Sequence, residues 1–280
     1  MARGLVAMAK ATMLDAARLR MLTMKRWLSA RTLVPESGFF DSYARFYSTS
    51  ITGMKPDRLN QRYRALIESN SAIIDGKSVL DIASHDGRWS FAAYKAGARH
   101  VLGIEAREHL VKLAQENLRD YGVPVGAVHF LLGDVFVELD RLEPGTIETV
   151  FCFGFLYHTA HHMLLLNKIA RLKPKYVILD TKVSLDPRSI IEIRRESVAD
   201  ESSGAVSEAG NPSYTVIGVP SRQVVELMLS AAGFESYSYY DWRGAGIKDW
   251  TYLDAYYRGK RISLVATLHP TMAAEKRQIA

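Results

Sequence analysis

Short apolar runs alternate with helical patterns between residues 77 and 183, and this alternation constrains the fold more than any other feature of the chain. Five runs have the length and composition of buried strands: VLDI, HVLGIEA, VHFLLGD, ETVFCFG and YVILDTKV. Strands that alternate with helices predict a parallel sheet with right-handed crossovers. The later run RISLVATL follows without an intervening helix, so we expect it to pair antiparallel with its neighbour. The sequence therefore predicts an α/β fold with a mostly parallel sheet.

The positive charge of the chain is concentrated at its start. Residues 1–34 contain seven basic residues and one acidic residue, which accounts for the whole net charge of +6 and leaves the rest of the chain neutral. We expect residues 1–58 to form a basic helical N-terminal extension and residues 59–280 to form the main domain. A basic arm can pack on a partner, or contact the phosphates of anionic lipid or nucleic acid. The sequence leaves these alternatives open, together with the oligomeric state.

The single cysteine and the lack of long apolar runs indicate a cytoplasmic protein. Cys152 lies in an apolar strand pattern, so we expect a buried thiol, and one cysteine supports neither a disulfide framework nor a cysteine-based zinc site. No apolar run reaches the roughly 18 residues that a membrane helix needs. Lys10 and Asp15 interrupt the apolar stretch that a signal peptide would require.

The turn in VLDIASHDGRW, residues 79–89, argues against a dinucleotide cofactor. Dinucleotide-binding folds place G-x-G-x-x-G here so that backbone amides approach a pyrophosphate. In this chain Ala83, His85 and Arg88 take the places of those glycines, and only Gly87 remains. A histidine side chain leaves little room for a diphosphate, so the sequence disfavours NAD and FAD.

S-adenosylmethionine (SAM) fits the same turn better, because it carries no phosphate. Asp81 ends the first strand and can attract the ammonium group of SAM, while Glu105 ends the second strand and can accept both ribose hydroxyls. Asp134 follows the third strand, where the adenine would lie. We predict these cofactor-binding residues: Asp81, Ala83, His85, Gly87, Arg88, Glu105, Ala106, Asp134, Val135 and Phe153.

The stretches LDIASHDGRWSFAAYKAGARHVLGIE and FCFGFLYH resemble the class I SAM-dependent methyltransferases over residues 60–269. Within that class they resemble a bacterial group related to the tRNA wobble-uridine (carboxy)methyltransferases, which has a D-x-G-x-x-D-G turn and a G-x-L-Y-H element. Here the turn spans residues 81–87, the element spans residues 154–158, and Ala83 replaces a glycine. The resemblance implies a Rossmann-like seven-stranded methyltransferase sheet and S-adenosyl-L-methionine as cofactor. Members of the group modify tRNA, small molecules or sugars.

The histidine after the fourth strand is our candidate catalytic base. Methyl transfer is an in-line displacement, and an oxygen acceptor must also lose its proton to a base. His158 is predicted to be that base, with His161 and His162 in reserve, and Tyr157 is predicted to pack on the cofactor or bond the acceptor. A histidine bonded to backbone remains the alternative for His158. The three histidines lack an obvious carboxylate partner for a metal, so no metal site is predicted.

Substrate contacts are expected in two insertions, near residues 184–213 and 242–260. The candidate residues are Arg194, Arg195, Trp242 and Trp250. The predicted reaction is O-methylation of a hydroxyl on a small molecule or glycan. An RNA (carboxy)methyltransferase of the wobble-uridine type is the second hypothesis, disfavoured by the neutral body. A non-catalytic SAM-binding scaffold is the third.

Overall fold

The computed structural model describes residues 38–49, 55–198 and 213–269. The predicted basic arm and nearly all of the polar stretch 200–213 lie outside these residues. By their backbone contacts, the described residues from Phe39 onwards group into one compact unit. The described residues from Phe39 onwards therefore belong with the sheet, whereas the sequence predicts a boundary after residue 58.

The strands of the described residues follow the predicted apolar runs. They are β1 (Ser78–Ile82), β2 (His100–Glu105), β3 (Val128–Leu132), β4 (Thr149–Phe153), β5 (Tyr176–Lys182), β6 (Ile191–Ser197), β7 (Tyr214–Pro220), β8 (Phe234–Tyr239) and β9 (Arg261–Leu268). Every residue of β1 and of β4 is buried, as expected for central strands of a sheet covered on both faces.

Two helices precede the first strand, and the longer helices between the strands lie where the 3.6-residue periodicity predicts them. The helices are α1 (Arg45–Ser48), α2 (Pro56–Leu66), α3 (Arg88–Lys95), α4 (Glu108–Asp120), α5 (Val135–Arg141), α6 (His162–Arg171), α7 (Arg222–Ala231) and α8 (Asp254–Tyr257). Short 3₁₀ turns occupy Phe39–Tyr43, Glu68–Ile73 and Leu156–His158. No helix among the described residues is long and apolar enough to cross a membrane.

Seven strands form the main sheet in the order β3-β2-β1-β4-β5-β9-β8. Strands β1 to β5 pair in parallel, and β9 pairs antiparallel with both β5 and β8. This arrangement confirms the predicted fold class, including the antiparallel last strand. The strand order reverses beside β1, which lies between β2 and β4, and ligands of such sheets bind in the crevice at that point.

Two apolar clusters cover the two faces of the sheet. One face packs mainly against α5, α6 and α7, through residues such as Leu139, Leu165 and Val225. The other face packs against α2, α3 and the 3₁₀ turn at Phe39–Tyr43, and it is rich in aromatic rings. The aromatic segment near residue 40 is thus part of this second core.

A two-stranded antiparallel sheet, formed by β6 and β7, was not expected from the sequence. The strand β6 reads IEIRRES, and five of its seven residues are polar or charged, so it lacks the apolar pattern of a strand. Its pairing with β7 depends on a partner more than fifteen residues away, across the stretch 199–212 that lies outside the described residues. This pairing brings β6 to the site described next.

Candidate active site

Three carboxylates lie at the carboxyl ends of the neighbouring strands β1, β2 and β3. Asp81 is the penultimate residue of β1, Glu105 is the last residue of β2, and Asp134 follows β3 by two residues. The pairings Ile82–Ile104 and Glu105–Leu132 keep these strand ends level with one another. The three acids therefore share one rim of the sheet, beside the point where the strand order reverses.

Asp81 is a buried carboxylate that pairs with no cation among the described residues. It is 1% exposed, and its Oδ2 accepts a hydrogen bond of 2.7 Å from the Ser90 hydroxyl. Burial raises its pKa to about 7, and the nearby charges of Asp86 and Glu105 act in the same direction. A buried carboxylate of this kind gains stability from a bound cation, so Asp81 fits the ammonium group of SAM.

The turn after β1 contains two non-glycine residues in the left-handed region. Ala83 and His85 both have a φ of +55°, a conformation that costs about 1 kcal/mol for a residue with a Cβ atom. The backbone N–H of His85 donates to Glu105 Oε2 over 3.0 Å, so it positions that carboxylate. The Ser84 hydroxyl is buried and has no partner among the described residues. An unpartnered donor beside the strand ends fits a bound ligand.

Gly87 and Arg88, predicted to bind the cofactor, both support the shape of the turn, and their contact with a cofactor stays a prediction. Gly87 has a φ of +77°, and a Cβ atom there would lie 2.9 Å from the Ala114 Cβ, so the glycine permits close packing of α3. Arg88 is buried, and its Nε lies 2.7 Å from Asp86 Oδ1. This pair holds the pKa of Asp86 well below its usual range. The side chains of Asp86 and Arg88 thus bind each other and support the shape of the turn.

Glu105 is buried, and an arginine that the sequence analysis missed holds it. The N–H and the Nε of Arg107 donate to Glu105 Oε1 over 3.1 and 2.7 Å. Ala106 lies half-buried between the two. An arginine directly after a strand-end acid is the signal that could have identified this clamp. The clamp fixes the carboxylate at the strand end, where a ribose would lie.

Asp134 has the structural role of a helix cap. Its Oδ1 accepts hydrogen bonds from the N–H groups of Phe136 and Val137 over 2.8 and 3.2 Å at the start of α5. The side chain is exposed, whereas the adjacent Val135 is buried in the core. A contact between Asp134 and an adenine stays a prediction.

The end of β4 carries an aromatic contact and then a sharp turn. Phe153 packs edge-on against Trp89 with 5.5 Å between ring centroids, and Gly154 follows with a φ of +89°. Tyr157 is buried in the 3₁₀ turn after it. The Lys182 Nζ lies 4.6 Å and the Arg261 Cζ lies 5.5 Å from the centroid of the Tyr157 ring. Two cations therefore lie near the Tyr157 ring, which also packs on the His158 ring.

His158 forms a short contact with Glu196 of β6. The Nδ1 atom lies 2.5 Å from Glu196 Oε2, and Nε2 makes no hydrogen bond to a described residue. Burial lowers the pKa of His158, the charges of Lys182 and Arg261 lower it further, and Glu196 opposes both. A histidine oriented through one nitrogen, with the other free to take a proton, is the arrangement of a general base. The sequence analysis missed Glu196, although it named the neighbouring Arg194 and Arg195 as candidate substrate contacts.

The two reserve histidines are placed differently. His162 is buried, its Nε2 lies 2.9 Å from the Gly218 carbonyl oxygen, and its Nδ1 is buried without a partner among the described residues, so a role as reserve base stays a prediction. His161 is exposed and packs against the Phe136 ring. The described part of the chain contains no group of three or more histidine, cysteine or acidic side chains suited to a metal ion.

The predicted substrate contacts divide into exposed and buried residues. Arg194 and Arg195 are exposed on β6; Arg194 pairs with Glu192, and the Arg195 Cζ lies 4.7 Å from the centroid of the Tyr214 ring. Trp250 is half-buried. The prediction for Trp242 is wrong, because it is 6% exposed, stacks on Tyr256 at 3.8 Å and donates to Ser263 Oγ.

A buried polar network around Asp180 of β5 was also missed. Asp180 Oδ1 accepts from Arg62 over 2.9 Å and from the Arg261 Nε over 2.7 Å. Its Oδ2 accepts from the hydroxyls of Tyr256 and Ser263 over 2.8 and 2.7 Å. The signal in the sequence is an aspartate inside an apolar strand, which must find partners when it is buried. The backbone carbonyl of Asp180 also accepts from the Gly154 N–H, which ties the network to the turn before His158.

The strand order and the rim of acids define a class I methyltransferase sheet, and the buried Asp81 and the Ser84 hydroxyl fit its cofactor, SAM. A family model described as "Methyltransferase domain" matches residues 79–175. The chain therefore contains a class I SAM-dependent methyltransferase domain.

Relatives of known name agree over parts of the chain. Protein arginine N-methyltransferase 8-B of Danio rerio is 34% identical over 105 residues, which is 35% of this chain and 24% of that protein. Ribosomal protein L11 methyltransferase of Deinococcus radiodurans is 25% identical over 146 residues, 51% of this chain and 53% of that protein. The chain thus spans between a quarter and about half of the length of these relatives.

A solved structure shows the same fold. The N-terminal domain of EvdMO1 with S-adenosylhomocysteine (SAH) bound superposes with a TM-score of 0.55 at 18% identity. The match covers 75% of this chain and 80% of that chain. At this identity the likeness concerns the fold, so the acceptor has to be argued from the site.

Proposed function

We propose that the chain methylates a hydroxyl oxygen of a small molecule or glycan, with His158 as the general base. The observation that carries this proposal is the contact between His158 Nδ1 and Glu196 Oε2 at 2.5 Å, which leaves Nε2 for the acceptor. An oxygen acceptor must lose a proton, and an oriented histidine supplies the base that this requires.

The described residues supply the parts of a cofactor site. Asp81 would hold the ammonium group, Glu105 the ribose hydroxyls, and Asp134 the adenine amino group. When bound, SAM supplies a methyl group activated by its attachment to a sulfonium. The left-handed turn at Ala83 and His85 shapes the site, and the hydrogen bond from His85 fixes Glu105.

The electrostatics of His158 suit a base that works at neutral pH. Because burial and two nearby cations lower its pKa, the ring is neutral at pH 7 and can accept a proton at Nε2. Glu196 then stabilises the imidazolium through Nδ1, as the acidic member of a catalytic triad does. The proton of the acceptor hydroxyl thus ends on His158.

The cations near Tyr157 disfavour a positively charged acceptor. Lys182 and Arg261 both lie over the ring that packs on His158, so a guanidinium or ammonium acceptor would meet like charges. A hydroxyl acceptor that is neutral or anionic suits this site better than an arginine side chain.

RNA modification of the wobble-uridine type remains the second proposal. The basic residues that favour it lie in the arm at 1–34, whereas the rest of the chain is neutral. The arm is also the segment that we propose for contact with anionic lipid. For the setting we propose the reducing cytoplasm, since the one cysteine is buried and its pKa is raised to about 12.

The activity is tested by incubating the protein with SAM and a panel of acceptors, and by measuring the SAH that forms. We expect product with hydroxylated small molecules or sugars and none with tRNA. Product with tRNA alone would favour the second proposal. Binding of SAM without product from any acceptor would favour a SAM-binding scaffold.

Replacement of Glu196 by glutamine should lower kcat and shift the pH profile in a defined direction. Glu196 raises the pKa of His158, so its removal lowers that pKa further. The rate rises as His158 loses its proton, and the acid limb of the kcat profile therefore moves to lower pH. We expect kcat to fall about tenfold or more, because the ring loses its orienting partner.

Glu143→Gln is the matched control for this prediction. Glu143 is exposed and precedes β4, so it lies near the amino end of that strand, whereas His158 follows its carboxyl end. This substitution removes the same charge and should leave both kcat and the acid limb unchanged. An unshifted acid limb in Glu196→Gln would show that Glu196 does not act through His158.

A further inference from the structure

Two arginines bond the single carboxylate of Asp180, and a third arginine lies one helical turn from one of them. Arg62 and Arg261 bond it directly, over 2.9 and 2.7 Å. Arg58, one turn before Arg62 on α2, lies close enough for the charges of Arg62, Arg261 and Asp180 to act on it. The cluster therefore holds three positive charges and one negative charge in a largely buried setting.

The donors of this cluster are not all used. Arg58 forms no ion pair or hydrogen bond with a described residue, and burial together with the two neighbouring arginines lowers its pKa to about 10. The Arg62 side chain is 6% exposed, and its Nε has no partner in the described part of the chain. Three cations that share one carboxylate in a largely buried setting are costly, so their presence indicates a ligand that supplies further negative charge.

The cluster is adjacent to the proposed base. The Arg261 Cζ lies 5.5 Å from the Tyr157 ring centroid, and that ring packs on His158 with 4.1 Å between centroids. A Cβ atom on Gly154 would lie 3.3 Å from a terminal nitrogen of Arg261, so the guanidinium lies against the turn that leads to His158. The charge of Arg261 also lowers the pKa of His158.

We propose that Arg58, Arg62 and Arg261 bind a carboxylate or phosphate group of the acceptor, close to the hydroxyl that is methylated. This inference rests on the proposed function, and it gives the acceptor an anionic group. Guanidinium groups match the oxygens of both anions through paired hydrogen bonds. Asp180 holds two of the three guanidinium groups in place, while Arg58 remains free to bind the ligand.

The cofactor itself carries a carboxylate, so the test must separate the two sources. The wild-type protein, Arg58→Gln and Arg119→Gln are first titrated with SAH by calorimetry. The saturated complexes are then titrated with inorganic phosphate and with acetate. Arg119 is the control because it is exposed on α4 and pairs with no acid among the described residues.

We expect all three proteins to bind SAH equally. Wild type and Arg119→Gln should then bind one equivalent of phosphate or acetate. The affinity of Arg58→Gln for the same anion should be lower by about tenfold or more, the effect of losing one charge-assisted hydrogen bond. The tighter of the two anions identifies the acceptor group. In anion-free buffer Arg58→Gln should also unfold at a higher temperature than wild type, because it relieves repulsion among buried cations.

Three results would overturn the inference. One is saturation with SAH but no saturable binding of either anion to wild type. Another is a loss of SAH affinity in Arg58→Gln, which would assign the arginines to the carboxylate of the cofactor. A wild-type protein that fails to bind SAH would instead contradict the proposed function. The predicted pattern of anion binding without methyl transfer to any hydroxyl would also contradict the proposed function, whereas equal anion affinity of wild type and Arg58→Gln is the third result that would overturn the inference.

Discussion

Replacement of His158 by alanine should lower kcat for methyl transfer about 10²- to 10⁴-fold, the range of a lost general base, and should leave the affinity for SAH unchanged. Both effects follow from position, since His158 follows β4 and contacts Glu196, whereas the acids of the cofactor rim end β1, β2 and β3. The acid limb of the kcat profile should disappear with the imidazole. Steady-state rates between pH 5 and 9 and calorimetric titration of SAH measure these effects.

His129→Ala is the control for this substitution. His129 is exposed on β3, and its loss should change neither kcat nor SAH affinity. An unchanged kcat in His158→Ala would remove His158 as the base, although the methyltransferase domain would stand. A parallel loss of SAH affinity would place His158 in the cofactor site instead.

Replacement of Asp180 by alanine should lower the free energy of unfolding by about 3 to 5 kcal/mol, the cost of leaving buried charges without their partner. Asp180 is fully buried and accepts from two arginines and two hydroxyls. The same donors hold its pKa well below the usual range. Its contribution is therefore complete above about pH 4, the ordinary pKa of an aspartate, and is lost only as the pH falls towards the lower folded-state value.

Denaturant unfolding of Asp180→Ala, Asp180→Asn and Asp140→Ala at pH 7 tests this prediction. Asp140 forms an exposed pair with Lys168, so its loss should cost about 1 kcal/mol or less. Asparagine keeps the size of the side chain and some hydrogen bonds, so Asp180→Asn should be intermediate and provides a folded sample. Equal midpoints for Asp180→Ala and Asp140→Ala would show that the network contributes little to stability.

The sequence contained enough information to predict the main sheet because its strands are apolar and its helices are periodic. The apolar runs around Val79–Ile82 and Thr149–Phe153 form two central strands of the sheet. The acids of the rim were predictable for the same reason, since the carboxyl ends of neighbouring parallel strands meet at one edge. The number of residues that separate these acids in the chain does not affect this prediction once the order of the strands is known.

The contacts that the sequence did not reveal join residues far apart in the chain. Arg62 reaches Asp180 across 118 positions, and Glu196 reaches His158 across 38. Their strands and helices carry no pattern that encodes such a pairing, and β6 is too polar to be recognised as a strand. Trp242 shows the opposite error, because an aromatic residue in an apparent insertion proved to be part of the core.

The turn after β1 explains how a glycine-poor sequence can serve this fold. Ala83 and His85 adopt left-handed conformations that glycine would adopt at lower cost. The buried pair of Asp86 and Arg88, together with the hydrogen bond from His85 to Glu105, supports that geometry. The strain is thus balanced by local contacts, and the cofactor site needs only one glycine.

Calorimetric titration of SAM, SAH and NAD into the purified protein at pH 6 and pH 8 tests the central claim most directly. We predict one-to-one binding of SAM and SAH and none of NAD. Because burial raises the pKa of Asp81 to about 7 and we propose that its ionised form binds the ammonium group, SAM affinity should rise between pH 6 and pH 8, by up to about tenfold. Binding of NAD, or no binding of SAM at either pH, would contradict the claim that this turn holds a sulfonium cofactor.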